Sequence, residues 1–249
     1  MGSISWPMFD WLFYWLPENI STYGAKIDGI MKMIWVIVFS WFVVVELVLF
    51  YFIFRYRAKE GGRASFQPGH GKAVLWILIP AALVLACDLA IDVRQNPVWD
   101  EIKINMPKPE EADQEIEINA QQFAWNFVMP GRDGSLKTAD DIKVMGTLTL
   151  PVGAKVIFYL TSQDVIHSFW VPVLRLKQDA VPGRRITGWF QATKEGTYII
   201  GCAELCGSGH GVMKAKLRIL SPHDYEEWLE KESPETAEET AWKVEVPHE

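Results

Sequence analysis

The sequence predicts a membrane protein: a two-helix transmembrane hairpin, then an all-β sandwich domain, then a short C-terminal helix. Three observations predict it. Hydrophobic residues make up 49% of the 249, and the excess falls into two long blocks rather than spreading evenly. From Glu115 the pattern changes to short alternating runs rich in Ile, Val, Thr, Tyr and Phe, bounded by Gly, Pro and Asp, which is strand chemistry. After those runs, SPHDYEEWLEKE opens with Ser221 at the N-cap, Pro222 at the first helical position and acids in the first turn.

Taken in order, residues 1–32 form an aromatic N-terminal segment broken by Pro7 and Pro17. It lacks the basic n-region and small-residue cleavage site of a signal peptide. Trp6, Phe9, Trp11, Phe13, Tyr14 and Trp15 suit a segment at the membrane interface, or equally a short helix packing on a partner. The hairpin occupies 33–93. Its first span, Met33 to Phe54, is long enough to cross a bilayer and is interrupted only by Ser40 and Glu46. An ionisable group at that depth normally faces protein or water, so Glu46 points to a partner contact, as a hydrogen-bonded interface residue or on a proton route. Arg55, Arg57, Lys59, Arg63 and Lys72 crowd the next loop against a single Glu60, which places that loop in the cytoplasm. Ala73 to Ile91 is the second span, with Pro80 as a kink point, Cys87 as a small core thiol, and Asp88 and Asp92 at its far end. Both chain ends then lie outside, so function belongs to the outer face.

Residues 94–114 read as a proline-bearing connector, and 115–221 hold the sandwich, with strands in EIEINAQQFAWNF, TLTLP, KVIFYLTS, ITGWFQA, TYIIGCAE and KAKLRIL. Residues 222–249 form the terminal helix and an acidic tail of low hydrophobicity. Nine Glu against two Lys in 226–249 account for the whole net charge of −7, which argues against nucleic acid as a partner.

The chemistry concentrates in CAELCGSGHGVM, the loop joining TYIIG to KAKLRIL. Cys202, Cys206, His210 and Met213 offer two thiolates, an imidazole and a thioether, a soft set that selects copper over hard cations. A thioether is a poor zinc ligand. A blue-copper site takes one Cys, two His and a weak axial Met, whereas this loop has two Cys. Two thiolates so close, with one His and one Met beside them, can bridge a pair of copper ions. Such a pair needs a second imidazole, and His167 in DVIHSFW is the candidate, since His70 lies before the second apolar span and His223 and His248 lie in a polar C-terminal segment. Two other readings stand at this point: a Cys202–Cys206 disulfide, which an outward-facing domain permits, and a Cys₂His₂ zinc site.

Three motifs carry a resemblance. DVIHSFWVPVLRLKQDAVPGR runs from Asp164 to Arg184, CAELCGSGHGVM from Cys202 to Met213, and QQFAWNF from Gln121 to Phe127. With the hairpin ahead of them, they resemble subunit II of haem–copper cytochrome c oxidase from the first span to the terminal helix. The resemblance implies a cupredoxin-like sandwich holding a mixed-valence dicopper (CuA) centre: Cys202 and Cys206 bridging, His167 and His210 one on each copper, Met213 weak on one and the Glu204 carbonyl on the other. It implies that the Glu204 side chain reaches a Mg²⁺ or Mn²⁺ shared with the catalytic large subunit, as suits a carboxylate and a hard ion. It further implies cytochrome c, or a related one-electron donor, on the outer face of a bacterial inner membrane, with dioxygen reduced in the large subunit. No CxxCH haem site is present in the chain.

The sequence departs from the family at three places. Phe123 stands where many members have the Trp at which electrons arrive, leaving Phe123 and Trp125, read as neighbours on one strand face, as candidates. Ala73 stands where many have a channel-mouth Glu, with His70 and Lys72 close by. Among docking acids Asp164 matches but position 163 is Gln. Outside the family, a membrane-tethered copper carrier without redox turnover fits the same ligands, though carriers favour open sites.

Overall fold

The computed structural model describes residues 16–58, 71–233 and 243–244. The N-terminal aromatics through Trp15, the loop residues Lys59, Glu60, Arg63 and His70, and most of the acidic tail lie outside the described residues, as do the side chains of Lys72 and Ala73.

Two helices, α1 (Gly24–Arg55) and α2 (Leu75–Trp99), are long and apolar enough to cross a membrane, and among the described residues neither buries its apolar surface. Both outrun the spans read from sequence. Helix α1 begins ahead of Met33, through Lys26, Asp28 and Lys32, and α2 continues past Ile91 through Pro97 into a π turn at Asp100–Ile104. The reason is that hydropathy marks apolar surface, not helix ends. Asp92 and Gln95 stay helical and hydrogen-bond each other at 2.9 Å, an i, i+3 pair. Glu46 sits in the middle of α1.

The second unit is a β-sandwich. One sheet takes β1 (Gln114–Gln121), β2 (Ala124–Met129), β3 (Ile142–Met145), β5 (Lys155–Ser162), β8 (Ile186–Gln191) and the two-residue β11 (Lys243–Val244). Its order is β11-β3-β2-β1-β5-β8. The other takes β4 (Thr147–Pro151), β6 (His167–Val171), β7 (Leu176–Ala180), β9 (Gly196–Cys202) and β10 (Lys214–Leu220), in the order β4-β10-β9-β6-β7. Alternation builds the core: on β1, Ile116, Ile118 and Ala120 point inward and are fully buried, while Glu117 and Asn119 point out. Phe127, Phe158, Phe169, Leu217 and Ile219 fill the space between the sheets. Helix α3 (Pro222–Glu232) follows β10, and the Ser221 side chain accepts the Asp224 N–H at 3.1 Å, the cap expected from sequence.

One strand expected from sequence, EIEINAQQFAWNF, is two. It folds back at Gln122–Phe123, so β1 and β2 pair antiparallel with Gln121 opposite Ala124. Phe123 is therefore in the turn and Trp125 in the strand, and they do not share a strand face. The apolar run hid the turn because it contains no Gly, Pro, Asn or Asp at the reversal. Strands β3, β6 and β7 were also not read as strands; each has only four or five residues.

Candidate metal centre

Strand register brings the two distant motifs together. Phe169 on β6 pairs with Cys202 on β9, which sets His167 at the start of one strand beside Cys202 at the end of the next. The Cys202 N–H donates to the Met213 carbonyl at 3.2 Å and closes the base of the loop between β9 and β10. A single 3₁₀ turn at His210–Val212 then aims both His210 and Met213 back toward Cys206.

The donor atoms converge. The ligand atoms of His167, Cys202 and Cys206 all lie within 4.8 Å of one another. Cys202 Sγ is 3.8 Å from Cys206 Sγ and 3.9 Å from His167 Nδ1. Cys206 Sγ is 3.7 Å from His210 Nδ1 and 3.8 Å from Met213 Sδ, and the Cys202 thiol donates to the Glu204 carbonyl at 3.2 Å. Donors bonded to one metal at about 2.0–2.3 Å sit roughly 3.3–3.8 Å apart at tetrahedral angles, a spacing these atoms come close to, so the group could hold a metal. It is far from the ~2.05 Å of a disulfide, and both cysteines are free, which removes the disulfide reading. Burial matches the chemistry: His167 and Met213 are at most 1% exposed, whereas the Glu204 side chain faces outward.

The surrounding residues fix the ligands. His167 Nε2 lies 2.8 Å from Asp164 Oδ1, so the ring gives its N–H to the carboxylate and keeps the Nδ1 lone pair for the site. Burial acts to raise the Asp164 carboxyl, but hydrogen bonds from His167 and from the Gln122 and Val165 N–H groups outweigh it and hold the carboxyl below the ordinary range. Gln122 also donates its side-chain amide to the Cys206 carbonyl at 2.6 Å, tying the β1–β2 turn to the loop. Burial first, and then the neighbouring Cys202 thiol, push the Cys206 thiol up to about 11 in the metal-free chain. A cation must therefore displace its proton.

Sequence reasoning missed Gln122 and gave Asp164 only a docking role; the i, i+3 spacing of Asp164 and His167 was the available signal. Of the two aromatics, Trp125 is fully buried and packs edge-on against Phe169 (5.4 Å) and His167 (6.2 Å). Phe123 is half-buried and lies over the copper loop: a Cβ on Gly209 would fall 2.5 Å from its ring. Leu205 and Val212, 78% and 77% exposed, make the rim of the loop apolar.

A β-sandwich carried on two membrane-spanning helices, with thiols, imidazoles and a thioether gathered at one end, defines a membrane-anchored copper-domain protein. Residues 114–219 match the family described as Cytochrome C oxidase subunit II, periplasmic domain. The chain is similar to the alternative cytochrome c oxidase subunit 2 of Bradyrhizobium diazoefficiens, at 33% identity over 93% of this chain and 88% of that one. It is also similar to the cytochrome c oxidase subunit 2 of Thermostichus vulcanus, at 31% identity over 86% and 77%. Among solved structures, the periplasmic domain of subunit II of cytochrome oxidase from Bradyrhizobium japonicum aligns with 51% of this chain and 96% of that one, at 27% identity and a TM-score of 0.45. The chain belongs to the cytochrome c oxidase subunit II family. It is thus a membrane-bound subunit of a respiratory terminal oxidase with an external β domain, in a family that binds copper.

Proposed function

We propose that this chain accepts electrons for the oxidase at a dicopper centre and hands them to a haem of the catalytic subunit. The observation that supports this best is the convergence of six donor groups from β6 and the β9–β10 loop, with sulfur, imidazole and thioether neighbours 3.7–3.9 Å apart. Cys202 and Cys206 would bridge the pair, His167 and His210 would each bind one copper, and Met213 and the Glu204 carbonyl would be the weak ligands. When bound, the pair supplies a one-electron carrier. The chain's own residues keep it rigid: β6 and β9 fix two ligands by strand register, Asp164 orients His167, and Gln122 anchors the loop at Cys206. Burial of His167 and Met213 keeps water out. A site held this stiffly rearranges little when its charge changes, and it does not release metal readily, which separates it from a copper carrier.

Cytochrome c, or a related one-electron donor, docks at the outer end of the sandwich, where half-buried Phe123 over the copper loop is the aromatic within its reach. The exposed Glu204 carboxylate serves a Mg²⁺ or Mn²⁺ shared with the large subunit. The sandwich faces the periplasm of a bacterial inner membrane, the basic loop after Arg55 faces the cytoplasm, and Glu46 meets the large subunit within the bilayer. Purification from membranes in mild detergent, with copper and haem counted per chain, tests the assignment. The expected result is co-purification with a haem-bearing large subunit, two coppers on this chain and no haem attached to it; a chain that purifies alone and colourless, giving up Cu(I) to acceptors, supports the carrier instead.

A further inference from the structure

Gln122, in the turn between β1 and β2, holds both halves of the donor set at once. Its backbone N–H donates to Asp164 Oδ2 at 2.7 Å. The other oxygen of that carboxylate, Oδ1, accepts the Val165 N–H at 2.6 Å and lies 2.8 Å from His167 Nε2. The Gln122 side-chain amide reaches the opposite way and donates to the Cys206 carbonyl at 2.6 Å. Among the described residues, this is the only hydrogen bond that reaches loop residues 204–212 from outside the loop. The bonds from His210 N–H to the Gly207 carbonyl and from Val212 N–H to the Gly209 carbonyl, both 3.1 Å, close within it. The base of the loop is fixed separately, by Ala203 N–H to the Ser168 carbonyl at 3.0 Å and by Cys202 N–H to the Met213 carbonyl at 3.2 Å. The close approach of Gln122 needs a glycine at 207, where φ is +138° and a Cβ would fall 2.9 Å from Gln122 Nε2.

We propose that Gln122 is a positioning residue for metal uptake: it latches the loop tip that carries Cys206 and His210 against the base that carries His167 and Cys202, so that two ions load as one event. The inference rests on the dicopper reading above. Strand register already sets His167 beside Cys202, and the backbone bonds at the loop base keep them there. Cys206 and His210 sit on the tip, where Gly207, Gly209 and Gly211 leave the backbone free to take other shapes. The Gln122 amide is the bond that restricts that freedom. With it in place, the tip is ordered before either ion binds. Without it, His167 and Cys202 still offer a half-site, and the entropy of ordering the tip opposes the second ion alone.

The test loads the full-length, metal-free chain in detergent with chelator-buffered Cu(I), thiols kept reduced, and counts ions per chain by native mass spectrometry. Wild type should pass from no copper to two with little one-copper form between. Gln122→Ala should accumulate the one-copper form, its second ion binding about 10- to 100-fold more weakly, the scale for losing an outer partner of a metal ligand. In the metal-free chain of this variant, the His210 and Val212 amides should exchange about 2- to 10-fold faster, the effect of one hydrogen bond. Ala203 at the loop base and Leu217 in the core should keep their wild-type rates, and the unfolding midpoint should not move, because Gln122 is exposed. Gln122→Glu keeps the bulk beside Gly207 but offers a carboxylate with no N–H to donate, so it should behave as Gln122→Ala does. Joint loading in either variant, or wild-type exchange at His210 and Val212, overturns the proposal. Faster exchange at Ala203 and Leu217 as well overturns it too, since Gln122 would then support the whole sandwich rather than the tip. A wild-type chain that takes a single ion defeats the dicopper reading instead, and the exchange rates then still decide whether Gln122 holds the tip.

Discussion

At the scale of single residues, the behaviour of the centre turns on which atoms hold protons before metal arrives. The Cys206 thiol, pushed up to about 11 by burial and by Cys202, is protonated at neutral pH, while Asp164 holds the His167 ring by Nε2 with Nδ1 turned toward the Cys202 thiol. Copper uptake must then expel thiol protons, so the apparent affinity of the metal-free chain should strengthen as pH rises toward that value and weaken as pH falls. Substituting Asp164→Ala removes the acceptor that orients the ring, and affinity should drop about 10- to 100-fold at every pH while the slope with pH persists. Competition against a chelator of known strength, repeated across pH, reads both effects. A flat pH profile would contradict the protonated thiol, and an unaltered affinity in the variant would contradict the orienting role of Asp164. The ligand types and their spacing were legible as residues in the sequence. The orienting hydrogen bond was not, because an Asp three positions before a His has many surface explanations until strand β6 fixes where the ring points.

At the scale of elements, the copper loop is held against the β1–β2 turn, and the contact is tight at Gly209. A methyl there would sit 2.5 Å from the Phe123 ring, closer than any real contact allows. Gly209→Ala should therefore cost about 1–3 kcal/mol in thermal or denaturant unfolding, the range for overpacking. Phe123→Ala, which vacates the space, should relieve much of that cost in the double variant, so the two effects should be clearly non-additive. Additive losses would mean that the turn and the loop do not press on each other. This contact also shows where sequence reading stopped. The pattern was sufficient to expect strands through 115–127, since apolar and polar residues alternate ahead of Gln122 and aromatics recur at every second position after it. Nothing in composition marked the reversal, and only the pairing of Gln121 with Ala124 separates Phe123, over the metal loop, from Trp125, in the core. The spanning helices erred in the opposite direction. Their apolar stretches were plain, but their polar ends, Lys26 to Lys32 and Asp92 to Trp99, remain helical for reasons that hydropathy does not register.

At the scale of the whole molecule, the chain divides its tasks between two kinds of surface. Helices α1 and α2 present apolar side chains that nothing among the described residues covers, as suits lipid and a membrane partner. The sandwich buries its own core and spends its loops on one metal site, and residues 16–23 belong to it rather than to a separate interfacial segment. The two-part architecture was legible because hydrophobicity and alternation are local signals. The docking of residues 16–23 on the sandwich was not, since Ile20 and Tyr23 are held there by contacts that no periodicity encodes. The account as a whole depends on two thiols and two imidazoles sharing a pair of metal ions. Electron paramagnetic resonance of the copper-loaded chain tests this most directly: the account predicts a signal split by two equivalent copper nuclei, lost on replacing Cys202 or Cys206 by Ser, whereas a signal split by a single nucleus, or one that survives those replacements, would contradict it.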